Sequence, residues 1–254
     1  MTDDLPAIRL RGLKKAFGSF QVLRGVDLDI PRGGTTVVIG LSGAGKSVLL
    51  KIIMGLIPPD EGTVEVGGVH ITRLRESERR QIRGRFGYVF QNGALFDSMT
   101  VYENVAFPLI EHTKLPESEI RARVVAAMES VGLEAHADKM PSNLSGGMRK
   151  RASLARALVR DPEFLLYDEP TTGLDPIRTA SIDQLIADTQ ASNPNLTSVV
   201  ISHDMHATFR IAHKVAMLME GVIAAQGAPE DIARSEDPRV QQFIEGRLDG
   251  PIQV

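Results

Sequence analysis

The chain contains no cysteine, which removes disulfides, thiol nucleophiles and thiolate metal sites and agrees with a reducing compartment. Charge of one sign is lacking too. Lys+Arg 29 against Asp+Glu 32 leaves a net charge of −3 over 254 residues, so no global positive field holds a polyanion and a general nucleic-acid binder is disfavoured. No apolar run approaches the roughly 18 residues a membrane span needs. The opening Met1-Thr2-Asp3-Asp4 is acidic where a secretory signal would be basic, and the chain reads as soluble. Internal repeats and flexible linkers are missing, and 23 glycines with 14 prolines fall short of low complexity. A chain of this length buries roughly three quarters of the surface its unfolded form exposes, enough for one α/β domain with insertions and no stapling.

The hydrophobic pattern begins with strands. Val26, Leu28 and Ile30 alternate before Pro31, and Thr35–Ile39 is a β-branched run that stops at Gly40. Beyond Gly45, Val48, Leu49, Ile52, Ile53 and Leu56 recur at helical spacing until Pro58-Pro59 forbids continuation. The order is strand, glycine loop, helix. Short strands are expected at 62–66 and 87–90, then a mostly helical middle from 101 to 159 with stops at Gly132, Pro141 and Asp161-Pro162. Phe164-Leu165-Leu166-Tyr167 reads as a buried strand, and Asp175-Pro176 as the start of a helix carrying Ile182, Leu185 and Ile186. Further strands fall at 199–201 and Lys214–Met219. The pattern predicts an α/β core interrupted by a helical insertion, with an appendage at 235–254.

Gly40-Leu41-Ser42-Gly43-Ala44-Gly45-Lys46-Ser47 fits G-x-x-x-x-G-K-[ST] and lies between a strand and a helix, where the chemistry requires it. Glycines let backbone N–H groups of Ser42, Gly43, Ala44, Gly45, Lys46, Ser47 and Val48 converge on phosphate oxygens at a helix N-terminus. Lys46 reaches the terminal phosphates and Ser47 can ligate magnesium. A triphosphatase also needs a metal ligand and a water activator. After the strand at 164–167, Asp168 would hold magnesium and Glu169 would act as general base. Taken alone, two adjacent carboxylates after a strand are commonly a solvated loop, and only the phosphate loop reverses that reading. Leu144-Ser145-Gly146-Gly147-Met148 opens a second helix with bare backbone donors, although Ser145 could be a plain N-cap. One phosphate chain thus has two candidate cradles. The economical solution is that the second serves nucleotide on another copy of the chain.

The ordered set of phosphate loop, Gln91, Leu144-Ser145-Gly146-Gly147, Asp168-Glu169, Thr172-Gly173-Leu174-Asp175 and His203 resembles the ATP-binding-cassette ATPases across nearly the whole chain. The resemblance implies an α/β fold: a P-loop NTPase (RecA-like) core with an antiparallel β subdomain and an inserted α-helical subdomain. It implies a core at 1–91 and 164–234, a helical insertion with the signature motif at 92–163 and a C-terminal extension at 235–254. ATP and magnesium are the implied cofactors. Gln91 would contact magnesium or water and sense a transmembrane partner, Asp175 would bridge two protomers, His203 would contact the γ-phosphate and Phe17 would stack on adenine, with Phe20 close enough to compete. Read from the residues alone, these four are also consistent with an exposed polar residue, a helix cap, a loop imidazole and a core ring. Leu41, Val48, Met148 and Gly173 depart from common family choices, and none of these departures removes a catalytic side chain.

Residues 90–109 place many apolar side chains just after Gln91, which suits a docking helix from a membrane partner as well as ordinary packing. Gly93-Ala94-Leu95-Phe96, Glu111-His112-Thr113-Lys114-Leu115-Pro116 and Asp237-Pro238-Arg239-Val240-Gln241-Gln242-Phe243 resemble the Mla subfamily, whose ATPases drive phospholipid traffic between bacterial membranes. That resemblance implies a homodimer on the cytoplasmic face of the inner membrane, peripheral to it. It would be attached to a transmembrane permease dimer, with a STAS-domain protein and an MCE-domain lipid-binding protein, and no nucleic acid. The rival readings are the ATPase of a small-solute importer, a non-transport ABC ATPase and an ATP-binding module that never turns over. Val240, Phe243, Ile244 and Leu248 recur at helical spacing in the extension, which is expected to clasp the second copy. Six arginines between Arg73 and Arg85 read as a solvated helix or a face toward anionic lipid. The spacing of His203 and His206 is not taken as a metal site.

Overall fold

A computed structural model describes residues 5–253, so the acidic opening at 1–4 and its reading as a non-signal lie outside the described residues. The chain forms two compact units, Met1–Arg83 with Thr197–Val254, and Gly84–Leu196. The first unit opens with β1 (Ile8–Phe17), β2 (Phe20–Ile30), β3 (Thr35–Ile39), α1 (Lys46–Ile53), β4 (Glu61–Val66), β5 (Val69–His70) and α2 (Glu76–Arg83). The second contains β6 (Phe86–Val89), α3 (Val101–His112), α4 (Glu117–Ser130), α5 (Gly146–Leu158), β7 (Phe164–Asp168) and α6 (Pro176–Ser192). The chain then returns to the first with β8 (Thr197–Ile201), α7 (Met205–Ile211), β9 (Lys214–Met219), β10 (Val222–Gly227), α8 (Pro229–Ala233) and α9 (Pro238–Glu245).

In the first unit, β1, β2, β4 and β5 form an antiparallel sheet in the order β2-β1-β4-β5. A second layer runs β10-β9-β3-β8, with β3 parallel to both β8 and β9 and β10 antiparallel to β9. All five residues of β3 are buried, as a strand flanked on both edges and covered on both faces requires. The two layers meet where the Arg24 N–H donates to the Gly221 carbonyl at 2.8 Å. Helix α1 starts at the residue expected but ends at Ile53, before Leu56. Gly55 takes φ +66° and the N–H of Leu56 turns back to the Lys51 carbonyl at 2.9 Å, so the glycine ends the helix and not the prolines beyond it. Helix α2 buries no residue, and both Arg79 and Arg83 pair with Glu76, the solvated arrangement of the arginine cluster.

In the second unit β6 and β7 pair in parallel, with the Phe86 and Phe164 rings 4.9 Å apart. Thr100 and Glu103 form a capping box at the start of α3: the Glu103 N–H donates to Thr100 Oγ1 at 3.2 Å and the Thr100 N–H to Glu103 Oε2 at 2.7 Å. The fully buried Asn104 accepts from the Phe96 N–H at 2.8 Å and donates to the carbonyls of Phe96, Met99 and Thr100 at 2.9–3.1 Å. It holds the connection between β6 and α3 in a single shape. As expected, Asp175 caps α6 with Pro176 in its first turn.

The C-terminal segment folds onto itself in the first unit. The buried Gln242 of α9 accepts from the Ile252 N–H at 2.7 Å and donates to the Ile252 carbonyl at 3.0 Å. Val240 is fully buried while Leu248 is 98% exposed, so only part of the expected apolar stripe is covered within the chain. Among the described residues no helix is long and apolar enough to cross a membrane. Replacement of Asn104 by Ala leaves several buried backbone groups unpaired and should destabilise the chain by about 1–3 kcal/mol, measured as a lowered denaturation midpoint with an unchanged slope.

Candidate functional site

The first unit carries the phosphate loop. Strand β3 delivers the chain to Gly40, whose φ is +148° and where an added Cβ would lie 2.1 Å from the Leu218 carbonyl oxygen. Gly43 follows at φ +79° with open space around it, and Gly45 at φ +100° is the N-cap of α1. Gly45 provides no side-chain cap, and the N-terminus of a helix is the end that favours an anion. Lys46 is 5% exposed, and its ammonium curls back to the carbonyls of Gly40 at 2.8 Å and Leu41 at 2.9 Å. Ser42 is exposed, while Ala44, Ser47 and Val48 are half-buried. An open Gly43, a helix start without a side-chain cap, one ammonium and no acidic side chain from 40 to 47 together fit a polyphosphate.

His203 reaches the same end of the sheet. Val38 of β3 pairs with Ile201 of β8, so Gly40 and His203 each stand two residues beyond a matched pair. Asp204 fixes the turn that follows by accepting from the N–H groups of His206 at 2.8 Å and Ala207 at 3.1 Å. Phe17 and Phe20 are 49% and 65% exposed at the tip of the β1–β2 hairpin, with the Lys15 ammonium 5.6 Å above the Phe17 ring. Neither is a core ring, and both are accessible to a planar base. A cavity of about 460 Å³ is lined by residues 41–44 together with Glu220, Arg239 and Ile252.

The second unit gathers the carboxylates and the amide. Parallel pairing of Val89 with Tyr167 sends Gln91, Asp168 and Glu169 off the same strand ends. Asp168 accepts from the Tyr88 hydroxyl at 2.9 Å, and burial, reinforced by that carboxylate, pushes the Tyr88 hydroxyl above its ordinary range. Glu169 sits in the left-handed region at φ +48°, a conformation that costs a non-glycine residue about 1–2 kcal/mol. Its Oε2 accepts from Thr172 Oγ1 at 2.9 Å and from Gln91 Nε2 at 3.2 Å. The buried Lys150 of α5 donates to the Gln91 carbonyl. Burial draws its ammonium below the ordinary lysine range, against the opposing pull of Glu169.

Ser145 caps α5, accepting from the Met148 N–H at 3.3 Å. A Cβ at Gly146 would lie 3.1 Å from Leu174 Cδ2, and one at Gly147 would meet nothing closer than 3.9 Å. Asp175 accepts from the Arg178 N–H at 3.0 Å and pairs with its guanidinium at 3.1 Å. These contacts, the backbone N–H first, hold its carboxyl below the usual range. Phe90 and Phe96, close in sequence to Gln91, and Ile110 of α3 leave large apolar side chains exposed. A larger cavity of about 620 Å³ in this unit, between α4 and the residues after α6, is lined by none of the residues above.

Tyr88 and Lys150 escaped the sequence reading. Lys150 did leave a trace there, because it shares a helical face with Ser153 and Leu154, and that face is buried.

The sequence profile described as ABC transporter matches residues 23–172. The chain is 46% identical to the "Probable ribonucleotide transport ATP-binding protein mkl" of Mycobacterium leprae, over 97% of this chain and 71% of that protein. It is 41% identical to the intermembrane phospholipid transport system ATP-binding protein MlaF of Haemophilus influenzae, over 96% of this chain and 92% of that protein. Among solved structures, a dimeric post-hydrolysis state of the ATP-binding cassette MJ0796 bound to ADP and Pi superposes with a TM-score of 0.79 at 31% identity, covering 87% of this chain and 98% of that one. The expectation that Lys46 binds phosphate is tested by Lys46→Met, which would remove charge-assisted hydrogen bonds each worth about 1.5–3 kcal/mol. Affinity for a fluorescent ATP analogue should therefore fall about tenfold or more, with the thermal midpoint retained.

Proposed function

The chain belongs to the ABC transporter family, and from that premise we propose that it is the ATP-hydrolysing motor of a transporter that moves phospholipid between the inner and outer membranes of a bacterium. Its fold is the P-loop ATPase core with an antiparallel β subdomain and a helical insertion. The division 1–91 with 164–234, 92–163 and 235–254 is taken as the functional one. The observation that carries the cargo is reciprocal: the match to the phospholipid-transport relative runs through 96% of this chain and 92% of that protein. The ribonucleotide-transport relative is more identical, at 46%, but is matched over 71% of its own length. That relative motivates the second reading, a motor for a nucleotide cargo.

In the proposed mechanism the loop amides and Lys46 grip the β- and γ-phosphates of ATP, and Phe17 stacks on adenine. Ser47, Asp168 and Gln91 present hydroxyl, carboxylate and amide oxygens, a hard donor set that fits magnesium. When bound with the nucleotide, that ion neutralises charge on the phosphate oxygens. Glu169, held by Gln91 and Thr172, takes a proton from water as the water oxygen bonds to the γ-phosphorus and the bond to ADP breaks. His203 contacts the γ-phosphate. Catalysis is mainly positioning and charge neutralisation. Ser145, Gly146 and Gly147 serve the nucleotide of a second copy, and Asp175 lies at that protomer boundary, so two chains enclose two ATP molecules. The apolar surface at Phe90, Phe96 and Ile110 receives the permease dimer. The motor sits peripherally on the cytoplasmic face of the inner membrane, with STAS-domain and MCE-domain proteins completing the complex.

Glu169→Gln should retain ATP binding, lower phosphate release by at least about a hundredfold and favour the dimer in sedimentation; turnover at the parental rate would remove Glu169 as the base. The cargo is tested by mild-detergent pull-down of the tagged chain with mass spectrometry. Recovery of permease, MCE-domain protein and phospholipid is expected, whereas recovery of a nucleotide-binding solute receptor would favour the second reading.

A further inference from the structure

Helix α5 is a hub of basic side chains that end on backbone carbonyls. Arg149 donates to Leu144 at 2.6 Å, Arg151 to Val131 at 2.6 Å, and Arg156 to Gly93 at 2.8 Å and Ala94 at 2.7 Å. Lys150 differs from these in two respects. It is 7% exposed, and its target is the carbonyl of Gln91, the residue whose side-chain amide holds Glu169. Burying an ammonium costs several kcal/mol unless good partners compensate. A methionine of similar length would fill the same space without that cost, so packing does not account for the charge.

From this geometry we propose that Lys150 is a positioning residue for hydrolysis. By fixing the peptide carbonyl of Gln91, it aims the Gln91 amide at Glu169 and ties the base to the helix that Ser145 caps. The chain of contacts is continuous: α5, the Lys150 ammonium, the Gln91 carbonyl, the Gln91 amide at 3.2 Å from Glu169, and Thr172 at 2.9 Å on the same carboxylate oxygen. Arg156 holds the loop two and three residues further on. Loss of Lys150 therefore leaves the loop in place and releases only the peptide from which the Gln91 side chain departs. If α5 addresses the nucleotide of a second copy, Lys150 is the physical link by which that encounter reaches the base of its own chain. The inference rests on the reading of Glu169 as the base.

The test compares the purified full-length chain with Lys150→Met, Lys150→Arg and Glu169→Gln in steady-state phosphate release, with thermal midpoints measured alongside. A misplacement of about 1 Å at a reacting group costs up to about a hundredfold. Lys150→Met should therefore lower kcat about tenfold or more, with KM for ATP within about twofold of the parent, and Lys150→Arg should restore most of the rate. Parental kcat in Lys150→Met beside an inactive Glu169→Gln overturns the inference and leaves the base assignment standing. Equal loss in Lys150→Met and Lys150→Arg also overturns it, because the donor would then not be what matters. Turnover by Glu169→Gln at the parental rate overturns the base reading itself, and this inference with it. Should Lys150→Met fail to fold, Lys150→Leu, which also lacks a donor, replaces it with the same outcomes.

Discussion

The approach of Gly40 to the Leu218 carbonyl constrains everything that follows it in the first unit. An added Cβ would lie 2.1 Å from that oxygen, far inside van der Waals contact, so the chain leaving β3 has one residue type available. Strand β3 lies between β8 and β9 and is wholly buried, which fixes where the chain emerges. From there the backbone must climb to α1 through left-handed glycines at 43 and 45, and the helix begins without a side-chain cap. A loop so constrained by the sheet below it has little freedom to rearrange, and an anion gains from a helix N-terminus that needs no reorganisation.

The second unit solves a different problem with the same parallel geometry. Strands β6 and β7 end together, and the groups that leave them, Gln91, Asp168 and Glu169, are held by one another and by Tyr88, Thr172 and Lys150. Tyr88 holds Asp168, Thr172 and Gln91 hold Glu169, and Lys150 holds Gln91. Glu169 adopts φ +48°, a left-handed conformation that surrounding contacts must maintain. Strain at a carboxylate and a buried ammonium one contact away are both unfavourable for stability taken singly. Together they describe a carboxylate whose direction is fixed before any substrate arrives.

Much of this was legible in the chain itself. The glycine loop, the caps at Ser145 and Asp175, the bounds of β3 and β9, and the exposed rings near Gln91 rest on contiguous residues whose conformational preferences act locally. The capping box at Thr100 and Glu103 carried a local signal too, although it went unread. Strand β1 was missed because register shifts after Leu10, Leu13 and Lys15 break its alternation. Strand β10 was missed because half-exposed alanines carry no pattern. Helix α1 ended early because one glycine in the left-handed region outweighed the apolar periodicity beyond it.

Sequence by itself determined the phosphate loop, the order of strand and helix around it and the identities of the charged groups, because each depends on a few adjacent residues and their backbone freedom. Only the tertiary structure decided which of those groups touch. Tyr88 and Asp168 are separated by 80 positions, Gln91 and Glu169 by 78, and Lys150 and Gln91 by 59. Contacts at such separations are fixed by strand register and helix packing, which bring remote atoms within hydrogen-bonding distance only once the core has formed.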